Sequence, residues 1–298
     1  MADISTTGVN VLLADRGRLR RRRWVGRLIE LLATSATVLA VGVLALVIGS
    51  VLVRGVSALS LDFLTQTPSG FGEGGGGIAD AIVGTALLVA LATVIAVPVG
   101  LLVAIYTTEF APQRVANPVR FVLDVLNGVP TIVTGIFIYG LIVVAQGHQS
   151  GYAGSIALAI VMLPIVARTA QEVLELVPGT LREAAYALGI ARWRTVLRVI
   201  VPTAAGGLLT GALLAVARVA GETAPLLFVS SIPPAGISTD FSQALPSIPL
   251  TIFKYSESPN PENHTQAWAA AFLLIMFVLL LSIVARAFYA RSRKRIEG

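Results

Sequence analysis

The chain has no cysteine among its 298 residues, which excludes disulfides, thiolate metal sites and cysteine nucleophiles. Histidine is almost as scarce. His148 and His264 stand far apart with no ligating neighbours in sequence and read as surface residues. Charge is thin as well, at 13% of residues against 55% hydrophobic, and the mean hydropathy is +0.83. A soluble domain of this size does not have that composition, so the chain reads as an integral membrane protein. The formal net charge of +6 does not point to nucleic acid, because no basic patch is interleaved with aromatics. The basic residues instead flank apolar runs, where membrane lipid headgroups account for them. No metal-ligand set, nucleophile or acid pair is recognisable. No catalytic or metal residue and no bound cofactor is assigned, and a membrane-enzyme reading has nothing to rest on.

What is present is a series of apolar runs, at residues 30–53, 80–106, 119–145, 152–167, 201–228 and 267–288. A helix crosses a hydrocarbon core in about 20 residues. The fourth run is short for a span, and extension past Arg168 supplies the length. The expected fold class is an all-α integral membrane protein with six transmembrane helices, which puts both termini on one side. Lysine and arginine choose that side. Seven lie between Arg16 and Arg27, two at Arg114 and Arg120, five from Arg168 to Arg198, and five from Arg286 to Arg295, whereas the alternate loops hold only Arg54 and Lys254. This asymmetry predicts cytoplasmic termini. The Arg20 to Arg23 run precedes an apolar segment too long for a signal-peptide core, so it reads as part of an uncleaved anchor.

Residues 1–29 are then a flexible basic cytoplasmic arm, 30–290 the transmembrane domain and 291–298 a basic tail. The outer loop after Arg54 carries Gly70, Gly72 and Gly74 to Gly77. No Lys-Ser or Lys-Thr follows at the phosphate-loop spacing, so the run reads as a flexible linker. Pro98 and Gly100 in the second span, and Gly128, Pro130 and Gly135 in the third, are helix breakers at membrane depth. They are tolerated against neighbouring helices or a hydrated pathway, and serve either close packing or that pathway. The outer segment of about 230–266 is proline-rich but apolar at LPSIPLTIF, which predicts an element resting on the bundle.

Two stretches carry functional signal. The first is a cytoplasmic loop of about 168–201 containing REAAYALGIARWRTVLRVIVP. Leu181, Ala185 and Leu188 fall on one apolar stripe of a short helix. Ala184 and Ala185 are small enough for close backbone approach, and Gly189 suits the left-handed conformation that ends a helix. Such a helix, with Trp193 as an aromatic anchor, fits a groove in a soluble partner. The second is ARVAGETAPLL in the fifth span. Arg218 lies about 24 Å along the helix from Pro202 and costs about 2.5–3.5 kcal/mol at the centre of a span. Glu222, four residues on, is expected on the same helix face. Two readings stand open: an intrahelical ion pair, or an arginine that meets an anion in a hydrated cavity while Glu222 holds the guanidinium between substrates. Asp124 and Glu109, near the cytoplasmic face, are expected to pair with nearby arginines and to carry little function.

With GGGIADAIVGTALL, PVGLLVAIYTTEFA, GVPTIVTGIF, the loop string above and GALLAVARVAGETAPLLF in view, the chain from Gly74 to Arg286 resembles the A-type permease subunit of bacterial phosphate-specific ABC importers. The loop resembles the EAA motif of ABC importers generally, with Val199 and Val201 as conservative departures; GETAPLLF beside a membrane arginine is the more particular signal. The resemblance implies the type I ABC importer permease fold. It also implies a homologous C-type permease, two ATPase subunits using ATP and Mg, and an external phosphate-binding protein. Glu183, Ala184, Ala185 and Gly189 would then belong to the ATPase-coupling set, with Arg192 and Trp193 beside them, and Arg218 and Glu222 to the substrate path. The expected function is import of inorganic phosphate across the cytoplasmic membrane by alternating access. Import of another oxyanion or small solute is the alternative. A secondary transporter would show matched inverted halves with broken helices, and no such pairing is found.

Overall fold

The computed structural model describes residues 7–68 and 76–297. Gly70, Gly72, Gly74 and Gly75 of the glycine run lie outside the described residues, as does the start of the basic arm. The helices are α1 (Thr7–Val56), α2 (Leu61–Thr65), α3 (Ala79–Ile105), α4 (Gln113–Gly128), α5 (Thr131–Ile138), α6 (Val144–Gln146), α7 (Gly151–Glu175), α8 (Gly179–Ala187), α9 (Arg192–Thr195), α10 (Val201–Val219), α11 (Ala224–Val229), α12 (Ile248–Ser256) and α13 (Pro261–Glu297). Wider π-helical turns at Tyr106–Phe110, Tyr139–Val143 and Val196–Ile200 continue α3, join α5 to α6 and join α9 to α10.

Residues up to Val53 form a unit of their own. There the arm expected to be flexible is helical from Thr7 and runs without a break into the first apolar run. Arginine and leucine are good helix formers, and no proline interrupts the stretch. Its apolar side chains from Leu28 to Val47 are exposed, as suits a helix solvated by lipid.

The second unit starts at Arg54 and is organised on α3 and α7. Ala92, Ala96, Gly100 and Ala104 recur every fourth residue on α3 and are buried, so the two backbones approach closely. A Cβ on Gly100 would stand 2.9 Å from Val166. Leu88 meets Gly154 at one end, and Gln171 donates to Thr107 at 2.7 Å at the other. The pair is therefore parallel, and the chain between must cross back.

That return is the third apolar run, and it is not one straight helix. α4 and the α5–α6 segment meet at 96°. Val129 and Pro130 are extended, with ψ 128° and 130°, because proline disfavours helical backbone in the residue before it and brings no N–H of its own. Among the described residues five other helical runs are long and apolar enough to span, and the bent pair taken as one span brings the number to the expected six. The fourth gains its length as anticipated, reaching Glu175.

The fifth also departs from expectation. Its helical run, Arg192–Val219, stops well short of residue 228. Continuing it would require Pro225 to donate to the Gly221 carbonyl, and proline has no N–H. The chain instead tightens through Gly221 N–H to Arg218 O at 3.2 Å and Glu222 N–H to Val219 O at 3.0 Å, then restarts as α11.

The proline-rich outer segment rests on the bundle as the sequence suggests. Ile248 N–H donates to the Thr85 hydroxyl at 2.8 Å, and Ser230 exchanges two 2.8 Å bonds with Leu245. Lys254 donates to the Ser231 carbonyl, and burial pushes its ammonium pKa down.

Candidate coupling loop and intramembrane site

The loop that follows α7 contains the short helix read from the sequence. Pro178 opens α8, and Gly189 closes it at φ +72°. Gly189 N–H donates to Tyr186 O at 2.9 Å and Ile190 N–H to Ala185 O at 3.1 Å. These two bonds make a Schellman cap, which needs the left-handed residue that glycine supplies without a Cβ penalty.

The stripe on α8 divides. Ala185 is buried against its own chain, whereas Leu181 and Leu188 are exposed. Ala185 is thus a packing residue in this chain, and the surface left for another molecule carries Glu183, Ala184, Tyr186, Leu188, Arg192 and Trp193. Periodicity puts the three stripe residues on one face, but only the middle of so short a helix is covered.

A charged clamp holds this helix in place. Arg182 donates to both oxygens of Glu109, at 2.6 and 3.3 Å, and also to Val177 O at 2.7 Å and Leu174 O at 3.1 Å. The Glu109 side chain is only 4% exposed. Glu109 sits on the π-helical turn that ends the α3 run, Leu174 on α7 and Val177 just beyond it, so one guanidinium ties α8 to two spans. Hydrogen bonding to Glu109 raises the Arg182 pKa above the ordinary arginine value. Glu109 pairs with an arginine as expected, yet its partner is on α8, 73 residues away. Asp124 likewise pairs, with Arg168 at 2.9 Å, and Arg120 bonds Glu175 at 2.8 Å. Both are partly exposed pairs at the same end.

From Arg192 the helical run continues to Arg218, which at 1.5 Å per residue is a rod of about 39 Å. Arg218 is exposed, and its guanidinium forms no ion pair or hydrogen bond with any described residue. The intrahelical pair with Glu222 does not form. The helix ends at Val219, so Glu222 lies on the non-helical break and does not share the expected helix face.

Arg218 lines a small cavity of about 30 Å³ with Asn127, Thr131 and Thr134, which come from the break between α4 and α5. α5 reaches this position because it packs on α11, where a Cβ on Gly135 would lie 2.7 Å from the Pro225 Cα. Sequence reasoning noticed only the glycines and proline of NGVPTIVTG; the asparagine and two threonines of the same string were the available signal. At the end of the bundle away from α8, a groove of about 860 Å³ runs between His148, Gln149, Pro233 and Gln243.

Residues 96–298, more than half of the chain, match the family described as binding-protein-dependent transport system inner membrane component. The chain is 43% identical over 245 residues to the phosphate transport system permease protein PstA of Yersinia pestis, covering 82% of this chain and 83% of that one. It is 40% identical over 226 residues to phosphate transport system permease protein PstA 1 of Mycobacterium tuberculosis, covering 74% and 73%. Among solved structures, a chain of the MetNI methionine ABC transporter in an inward-facing conformation superposes with a TM-score of 0.57 at 18% identity, over 72% of this chain and 94% of that one. An amino acid ABC transporter chain superposes at 0.53 with 20% identity, over 72% and 92%. The bent third span and the loop helix thus sit within an ABC importer permease fold, and the chain belongs to the family of inner membrane components of binding-protein-dependent transport systems.

Proposed function

We propose that this chain is the A-type permease subunit of an ATP-driven importer that carries inorganic phosphate across the cytoplasmic membrane by alternating access. The observation that carries the reading is its likeness, at 40–43% identity over 74–82% of its length, to permeases of phosphate transport systems. The chain has both termini in the cytoplasm, in keeping with the arginine-rich loops on that side. It hydrolyses no ATP itself. Two ATPase subunits dock on the face of α8 that carries Glu183, Ala184 and Leu188, with Gly189, Arg192 and Trp193 completing the contact. A homologous C-type permease and an external phosphate-binding protein complete the assembly.

ATP binding draws the ATPases together, α8 moves with them, and the α9–α10 rod carries that motion to Arg218. Arg218 supports the substrate class: an exposed guanidinium without a paired carboxylate, in the last turn of α10, is matched by an oxyanion that accepts its fork bidentately. Glu222, on the adjacent break, weakens the local positive field so that the anion leaves again. The test is uptake of labelled phosphate by the reconstituted importer. Phosphate uptake should resist an excess of sulfate when the binding protein is present; equal competition by sulfate would move the assignment to another oxyanion.

A further inference from the structure

We propose that Thr134, Thr131 and Asn127, with the uncapped start of α5, complete an oxyanion half-site around Arg218. The inference rests on the reading of Arg218 given above and adds the residues that share the anion with it. Thr134 is 9% exposed, yet its hydroxyl has no hydrogen-bond partner among the described residues, and it lines the cavity that Arg218 closes. Threonines elsewhere in the spans settle the same problem locally. Thr85, Thr93, Thr203 and Thr210 each donate to the carbonyl four residues back, at 2.6–2.7 Å. The Thr134 hydroxyl makes no such bond and stays available to a ligand oxygen in the cavity that the residue lines.

The backbone adds donors at the same place. α5 starts at Thr131 behind Pro130, with no side-chain cap; Val133 N–H donates to Pro130 O at 2.9 Å, the N–H groups of Thr131 and Ile132 lack intrahelical acceptors, and the positive end of the helix faces the cavity wall at Val129 and Thr131. A broken span whose half-helix start points at an anionic group is a known solution in transporters. No carboxylate lines the cavity, and its remaining wall, Ile160, Val161 and Ile165, is apolar. A cation has nothing to bind there; an anion meets a guanidinium, an amide, two hydroxyls and free N–H groups. The cavity holds about two waters. It therefore takes one or two oxygens of a tetrahedral oxyanion, while the rest of the ion stays at the mouth against Arg218.

The test uses the whole importer in proteoliposomes, with Thr134→Val, Thr134→Ser and Arg218→Ala. Thr134→Val removes only an unpartnered hydroxyl, so the complex should assemble, and its phosphate uptake should fall roughly tenfold, the size expected for one lost hydrogen bond to a charged ligand. Thr134→Ser, which keeps the hydroxyl, should transport within about twofold of the parent. A packing role gives the reverse order, with valine active and serine impaired, and would overturn the proposal. If Arg218→Ala stops uptake while Thr134→Val does not, the half-site fails and the reading of Arg218 survives. If neither variant impairs uptake, both fail. Should Thr134→Val not assemble, Thr131→Val at the half-buried neighbouring position gives the same readout, and unimpaired uptake there would overturn the proposal equally.

Discussion

Removing the Glu109 carboxylate should uncouple α8 from the membrane spans. Glu109→Ala leaves the Arg182 guanidinium with only the carbonyls of Leu174 and Val177, since its remaining bonds all go to Glu109. Deleting one partner of a buried pair costs about 3–5 kcal/mol, because the other charge stays desolvated. With 1.4 kcal/mol per tenfold, the docked position of α8 loses a factor of roughly 100 or more in population. Replacing both partners, as in Glu109→Leu with Arg182→Met, removes the stranded charge and should recover most of the stability. It should not recover coupling, because the directional bonds to α3 and α7 are gone. Two measurements on the assembled importer separate these effects: thermal stability in detergent across the double-mutant cycle, and ATP hydrolysed per phosphate taken up in proteoliposomes. An interaction energy of at least about 2 kcal/mol is expected, together with a several-fold rise in ATP used per phosphate in the single variants. A cycle energy near zero with unchanged ATP per phosphate would refute the clamp.

Three further outcomes follow from named contacts. Arg218→Ala should keep assembly and abolish uptake, and Arg218→Lys, which retains charge without the bidentate fork, should restore only a minor part of it; normal uptake by Arg218→Ala would remove it from the substrate path. Gly189→Ala puts a Cβ at φ +72° and should destabilise the α8 cap by about 1–2 kcal/mol. Gly189→Asp should in addition lose the ATPase on co-purification, and a retained ATPase would place the docking surface elsewhere. Gly135→Ala drives a methyl to 2.7 Å from the Pro225 Cα, so overpacking of about 1–3 kcal/mol should separate α5 from α11, lower thermal stability and slow uptake; unchanged stability would mean that this contact gives way freely.

Much of this was legible before any tertiary contact was known, and the legible parts are local. The membrane class, the apolar runs and the capped loop helix depend on composition, run length and a glycine within one turn, so the Gly189 cap appears where the string placed it. The proline at position 130 was visible too, but whether it kinks or sharply breaks a span depends on what packs beside it. Here α11 holds α5 and the bend reaches 96°.

Charge partners were decided by the tertiary structure alone. Four-residue spacing suggested Glu222 for Arg218, yet α10 ends at Val219 and the carboxylate leaves its face. Glu109 found Arg182 only because α3 and α7 run parallel and finish at the same end as α8. The unpartnered Thr134 depends in the same way on α4, α5, α7 and α10 meeting around one cavity. Sequence by itself determined what each segment does within a few turns of its own length, since backbone preference and hydropathy act at that range. Electrostatic pairing in a low-dielectric interior depends on separations of a few ångströms between distant segments, and only their packing sets those.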